Sequence, residues 1–253
     1  MGQLERALAA AQDEEKVALW TGDKAHLGNG LLAQAHLQLI LGNAPALTAV
    51  GERLRPIAED DSVPALQMQA MAMGCRIQSE WARWQPLPVA PADGGLAAGG
   101  DEQGAIARSY SATQVGWYYL EAGELALARQ HFAGALGGAF DEFDPRTGRW
   151  FAVIGAAWTA LCENELTQCR PFVQEVAGQW LAQGAAGFPD PPAAWQLLAA
   201  AVAHEVLPAD AAWMPGMLAT AMQPLLQQMT DPALRQHFLN RLARIDAHSP
   251  LLD

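Results

Sequence analysis

Basic side chains are scarce in this sequence: 15 Lys and Arg stand against 27 Asp and Glu, a formal charge of −12. That balance has the wrong sign for a phosphate backbone or an anionic bilayer, and it excludes nucleic acid and membrane surfaces as general partners. Cysteine is scarce as well. Cys75, Cys162 and Cys169 are odd in number and lack metal-type spacing, which points away from a disulfide framework and toward a reducing, cytoplasmic setting. Long apolar runs are missing: nowhere do about 18 residues pass without a charge, a proline or a polar break, and the Ala-rich stretch 193–206 comes nearest. The opening MGQLERALAAAQDEEK has acidic residues where a secretory leader has a basic start, and Arg6 stands where a myristoylation signal has Ser or Thr. Neither a leader nor a lipid anchor is expected.

Motifs that carry chemistry are missing too. Histidines at 26, 36, 131, 204, 237 and 248 form no His-Glu-x-x-His spacing, and the carboxylates of residues 141–144 lack the spaced ligands and terminal glutamate of a calcium loop. There is no Gly-x-Ser-x-Gly elbow, phosphate loop or dinucleotide glycine pattern. Cys162 and Cys169 have no histidine nearby in sequence to activate a thiolate. No metal and no cofactor are expected, and the chain is read as non-catalytic. An enzyme would need a site assembled from residues scattered along the sequence.

What is present is helix. The 253 residues are 51% hydrophobic, enough for a substantial core, and their apolar positions recur at helical spacing without strand alternation. The expected fold class is all-α, in one domain over residues 1–253. Residues 3–20 read as one or two short helical segments, the second capped by Asp13. Gly22, Gly28 and Gly30 are expected to loosen the chain before LLAQAHLQLIL, which ends at Gly42. A helix over about 44–55 follows and stops at Pro56; the next covers about 64–84, with Leu66, Ala70, Met73, Ile77 and Trp81 near one stripe. Residues 85–103 turn abruptly rich in Pro, Gly and Ala, and form the one candidate linker, flexible or a lid over a groove.

Beyond it, Tyr119 and Leu120 end one helical run and Leu125, Ala128, Phe132, Ala135 and Leu136 form the stripe of a second, on either side of Gly123. A third pair follows a turn-rich loop: RWFAVIGAAWTALC, then a helix that Pro171 is expected to delay until Thr167 can cap it. Asp190 before two prolines opens another helix, Pro215 and Pro224 interrupt 208–229, and Asp231-Pro232 opens a last helix with Leu234, Phe238, Leu242 and Ile245 on one stripe.

Recurring helical hairpins call for a repeat test. Residues 109–142 resemble a tetratricopeptide repeat: Gly116 and Tyr119 in the first helix, Gly123 in the turn, and Ala128, Phe132 and Ala135 in the second all fall at that family's spacings. Ala112 stands where the family often has tryptophan and Phe140 where it closes with proline. Aligning Asn164 with Gly123 gives a third unit shifted by 41 residues, longer than the family's 34. Such lengthened repeats resemble the helical sensor regions of bacterial signalling ATPases and their regulators, as does TDPALRQHFLNRL at 230–242. The resemblance implies antiparallel hairpins stacked as a right-handed α-solenoid whose first helices line a concave groove. It places Trp117, the equivalent Trp158 and, aligned on Gly42, His36 in that groove, with Tyr110, Phe151 and Ile154 beside them. The function it implies is recognition of a protein or peptide partner; the alternative is a sensor that holds a small apolar ligand among the tryptophans.

Overall fold

A computed structural model describes residues 4–80, 102–140, 148–208 and 217–247 of the chain. Residues 85–101 of the proposed linker or lid at 85–103, and the acidic run at 141–144, lie outside these residues, whereas 102–103 are helical. The described chain is all-helical. The first half holds α1 (Leu4–Thr21), α2 (Lys24–Leu41), α3 (Ala44–Ala58), α4 (Pro64–Glu80), α5 (Glu102–Glu121) and α6 (Leu125–Leu136). The second holds α7 (Arg149–Cys162), α8 (Leu166–Gln183), α9 (Pro191–Ala203), the short α10 (Leu218–Ala221) and α11 (Gln223–Gln228), and α12 (Pro232–Ala247).

One kind of turn recurs. Gly22, Gly42, Gly123, Asn164 and Glu205 all take left-handed backbone, with φ between 58 and 78°. In each case the next residue's N–H bonds the carbonyl five residues back, at 2.8–3.0 Å, which satisfies an orphan carbonyl at the helix end. Gly123, Asn164 and Glu205 follow at intervals of 41 residues, so the turn recurs at that spacing once more beyond Asn164. Glycine suits that conformation and asparagine tolerates it; a glutamate there is not a sequence-level turn signal.

Several boundaries differ from the sequence expectation, each for a packing reason. Residues 4–21 form one continuous helix, whose Leu8, Ala11, Glu15 and Ala18 face inward. Gly28 and Gly30 do not loosen the chain but lie inside α2, which begins after Asp23 caps the Ala25 and His26 amides. They are contact points: a Cβ on Gly28 would come within 2.4 Å of Leu66, and one on Gly30 within 3.2 Å of the α1 backbone. Pro56 does not stop α3, which runs on to Ala58; a proline in the last turn removes a single hydrogen bond. Pro171 likewise lies within α8, which starts at Leu166 without a side-chain cap, and the buried stripe Cys169, Val173, Val176 and Ala177 holds the helix on both sides of it.

Consecutive helices pack against one another, and the helices that open successive pairs also touch: α2 with α4, α5 with α7, α7 with α9. Arg76 near the end of α4 bonds Glu121 at the end of α5, so those two helices run in the same direction. Between α5, α6 and α7 the spacing of small and large residues has a direct use. Cβ atoms on Gly116 and Gly155 would lie 2.8 and 2.2 Å from the Phe132 ring, which is fully buried between them. The last described helix is tied back to the first ones. Arg241 of α12 donates to both carboxylate oxygens of Asp190 at the start of α9, at 3.0 and 2.7 Å, and to the Ile40 carbonyl at the end of α2 at 2.8 Å. Glu5 of α1 accepts from the Thr230 hydroxyl and the Asp231 amide just before α12.

Candidate functional site

Three helices bring most of the sequence-predicted residues to one place. His36 lies on the fourth turn of α2, Tyr110 and Trp117 on one stripe of α5, and Phe151 at the start of α7. The His36 Nε2 and the Tyr110 hydroxyl share a hydrogen bond of 2.9 Å across 74 residues of sequence. The imidazole also lies 5.4 Å from the Phe151 ring and meets Tyr110 edge-on at 5.5 Å. Trp117 donates its indole N–H to the Phe151 carbonyl at 3.1 Å, with its ring edge-on to Phe132. His36, Tyr110, Phe151 and Trp117 therefore form one connected set spanning α2, α5 and α7.

The set is buried in the interior. His36 is 4% exposed, Tyr110 2% and Trp117 6%. Ile154 and Trp158, at 1% each, lie in the main core of α7, and only Phe151 is half-buried. In this conformation a ligand would have to enter between the helices, because these side chains present no open platform.

Two further features mark this set. Arg76 lays its guanidinium 4.7 Å from the centre of the Trp117 ring while it pairs with Glu121, so a cation covers the indole face that α4 approaches. The second is a deficit. Gln114, one turn from both Tyr110 and Trp117 on the same stripe, is 2% exposed and its Nε2 has no hydrogen-bond partner. The Ser111 hydroxyl, 7% exposed and one turn before Gln114, has none either. Gln38 Oε1 on α2 is a third such atom. A buried polar atom without a partner costs about 1–3 kcal/mol, and native folds leave few of them. A glutamine on the inward stripe between Tyr110 and Trp117 was the signal in the sequence that could have marked the place.

Elsewhere the chemistry is quiet. Burial pushes the Cys169 thiol up to about 11 and raises Cys162 as well, which keeps both protonated and unreactive at neutral pH. Among the described residues no three His, Cys, Asp or Glu side chains stand close enough to hold a metal ion, and no helix is long and apolar enough to cross a membrane. A separate recess of about 150 Å³ is floored by Leu27, Pro56, Ile57, Val63 and Leu66 and edged by the Lys24–Asp60 ion pair. Bonds from Lys24 and Ser62 hold the Asp60 carboxyl well below the usual carboxylate range. No protein-family model, curated protein or solved structure matches the chain, so the functional argument rests on its own residues.

Proposed function

We propose that this chain is a non-catalytic, regulatory binding module built of tetratricopeptide-like hairpins in one right-handed stack. Its ligand, in this reading, is a small molecule that enters between α2, α5 and α7. The observation that carries it is the Gln114 amide, a buried donor with no partner, set between Tyr110 and Trp117. A ligand presenting a carbonyl or carboxylate oxygen to Gln114 Nε2 and Ser111 Oγ, with an apolar ring or chain along Trp117 and Phe151, supplies the missing bonds. Such a site is largely apolar with a few convergent polar groups, the usual make-up of a small-molecule pocket. A cytoplasmic location, in keeping with an odd number of cysteines that lack metal-type spacing, belongs to the same proposal.

The second reading is a peptide or protein partner on the same face. It is favoured by the repeat register, which puts His36, Trp117 and Trp158 at one equivalent position, and it requires the helices to part. The two separate in a thermal-shift screen of small carboxylates and amides against wild type and Gln114→Met. Methionine keeps the length of the side chain and removes the unpaired donor. The ligand reading expects compounds that raise the melting temperature of wild type and leave that of Gln114→Met unchanged. Equal shifts in both proteins would remove the amide from the site.

A further inference from the structure

The outer face of α1 has no partner among the described helices, and the end of that helix carries large apolar side chains in water. Val17 is 59% exposed, Leu19 62% and Trp20 87%. An indole left almost wholly in water is uncommon on a monomer, and clustered apolar exposure marks contact surfaces. The orientation is fixed from inside: the buried Glu15 accepts from Gln34 of α2 at 2.7 Å and pairs with Arg53 of α3. One stripe of the helix, made of Ala9, Ala10, Asp13, Lys16, Val17 and Trp20, therefore faces outward along its length, and all six are exposed.

That stripe is complementary to itself when reversed. An antiparallel pairing centred between positions 14 and 15 of two copies sets Trp20 of each against Ala9 and Ala10 of the other. The same pairing sets Asp13 of each against Lys16 of the other. The bulkiest side chain meets the smallest, and the acid meets the base, twice over by the two-fold axis. Within one chain Lys16 and Asp13 already lie 2.8 Å apart, with side chains 75% and 70% exposed, so exchanging them between copies needs no burial of an unpaired charge. We infer that the partner of this face is a second copy of the chain, docked α1 against α1 in an antiparallel two-fold dimer.

The expected affinity is modest. An 18-residue helix is about 27 Å long and about 10 Å wide, a contact face well below the roughly 800 Å² per partner of a standard stable interface. Self-association should be reversible and visible in the micromolar range or above.

Sedimentation equilibrium of the full chain, at loadings from low micromolar to near millimolar in physiological salt, tests this. Wild type is expected to pass from monomer to dimer mass. Trp20→Asp should remain monomeric throughout while its circular dichroism and melting stay unchanged. Asp13→Lys alone should weaken the dimer about tenfold, through two lost pairs and two like-charge contacts, and Asp13→Lys with Lys16→Asp should restore it. A wild type that stays monomeric at every loading overturns the proposal. So does a dimer that survives Trp20→Asp, or one that the double charge exchange fails to restore.

Discussion

Helices α5 and α1 sort their side chains in opposite, equally unusual ways. On α5, Gln114 and Ser111 take polar atoms into the interior and leave them unbonded; on α1, Val17, Leu19 and Trp20 hold apolar surface in water. Each arrangement opposes folding: about 1–3 kcal/mol for each unpaired buried group, and about 1.5–3 kcal/mol forgone for a large apolar side chain left exposed. The contrast separates the kinds of partner each face suits. An inward deficit of hydrogen bonds is made good by a small molecule that can enter, and an outward excess of apolar surface by another macromolecule. It also separates the tryptophans, since Trp158 and Trp117 belong to the interior and Trp20 to the outside.

The strongest way to break that contrast is at Trp158, which is 1% exposed and sits in the α7 core. Trp158→Ala should cost about 3–5 kcal/mol in urea unfolding, as for other large core truncations. A loss below about 1 kcal/mol would return this residue to a ligand-facing role. Arg241→Ala comes next. It leaves Asp190 buried with its charge uncompensated and removes the tie between α12, α9 and α2, for an expected loss of about 3 kcal/mol. Limited proteolysis of the same variant should cut first near α12. A pH series follows. The Cys169 thiol is raised by burial from 9.0 to about 11, so its contribution to stability is complete below pH 9 and is lost as pH rises toward 11. The amount is about 2–3 kcal/mol, and Cys169→Ala should flatten that part of the stability profile, whatever its cost at neutral pH.

How much of this was legible in the sequence depends on whether the cause was local. Gly42 and Gly123 announced their turns because glycine is the natural residue for left-handed backbone, and Asn164 because the repeat register pointed to it. Glu205 takes the same conformation and went unread, since no glutamate signals it. Gly28 and Gly30 misled for a related reason: a glycine that permits close helix contact looks the same, in sequence, as one that loosens a chain. Pro56 reads as a stop and Pro171 as a delayed start, although tertiary packing outweighs a single lost hydrogen bond at each. Within the candidate site, His36 meets Tyr110 and Phe151, residues that the sequence expectation also groups on one face. Their burial has no local signal, because it depends on contacts between helices distant in sequence. The clasp between Arg241 and Ile40, 201 residues apart, has no local signature at all.

The interior side of the contrast is sharpened by Gln114→Met in the absence of any ligand. If the amide is an unmet donor, removing it should raise stability by about 1 kcal/mol, and the midpoint of urea unfolding should rise without a change in slope. A destabilised variant would mean that Gln114 serves the fold. The exterior side carries the smallest expected effect on stability. Trp20, at 87% exposure, makes few contacts to lose, so Trp20→Ala should change unfolding free energy by no more than about 0.5 kcal/mol at a protein concentration where the chain is monomeric. Set beside the several kcal/mol expected at Trp158, that near-null result is informative. The same residue type, on one chain, would be indispensable to the fold in the interior and dispensable to it on α1, so its presence at position 20 has to be explained by something outside the monomer. A loss of 2 kcal/mol or more at Trp20 would instead make it a packing residue and dissolve the contrast between the two faces.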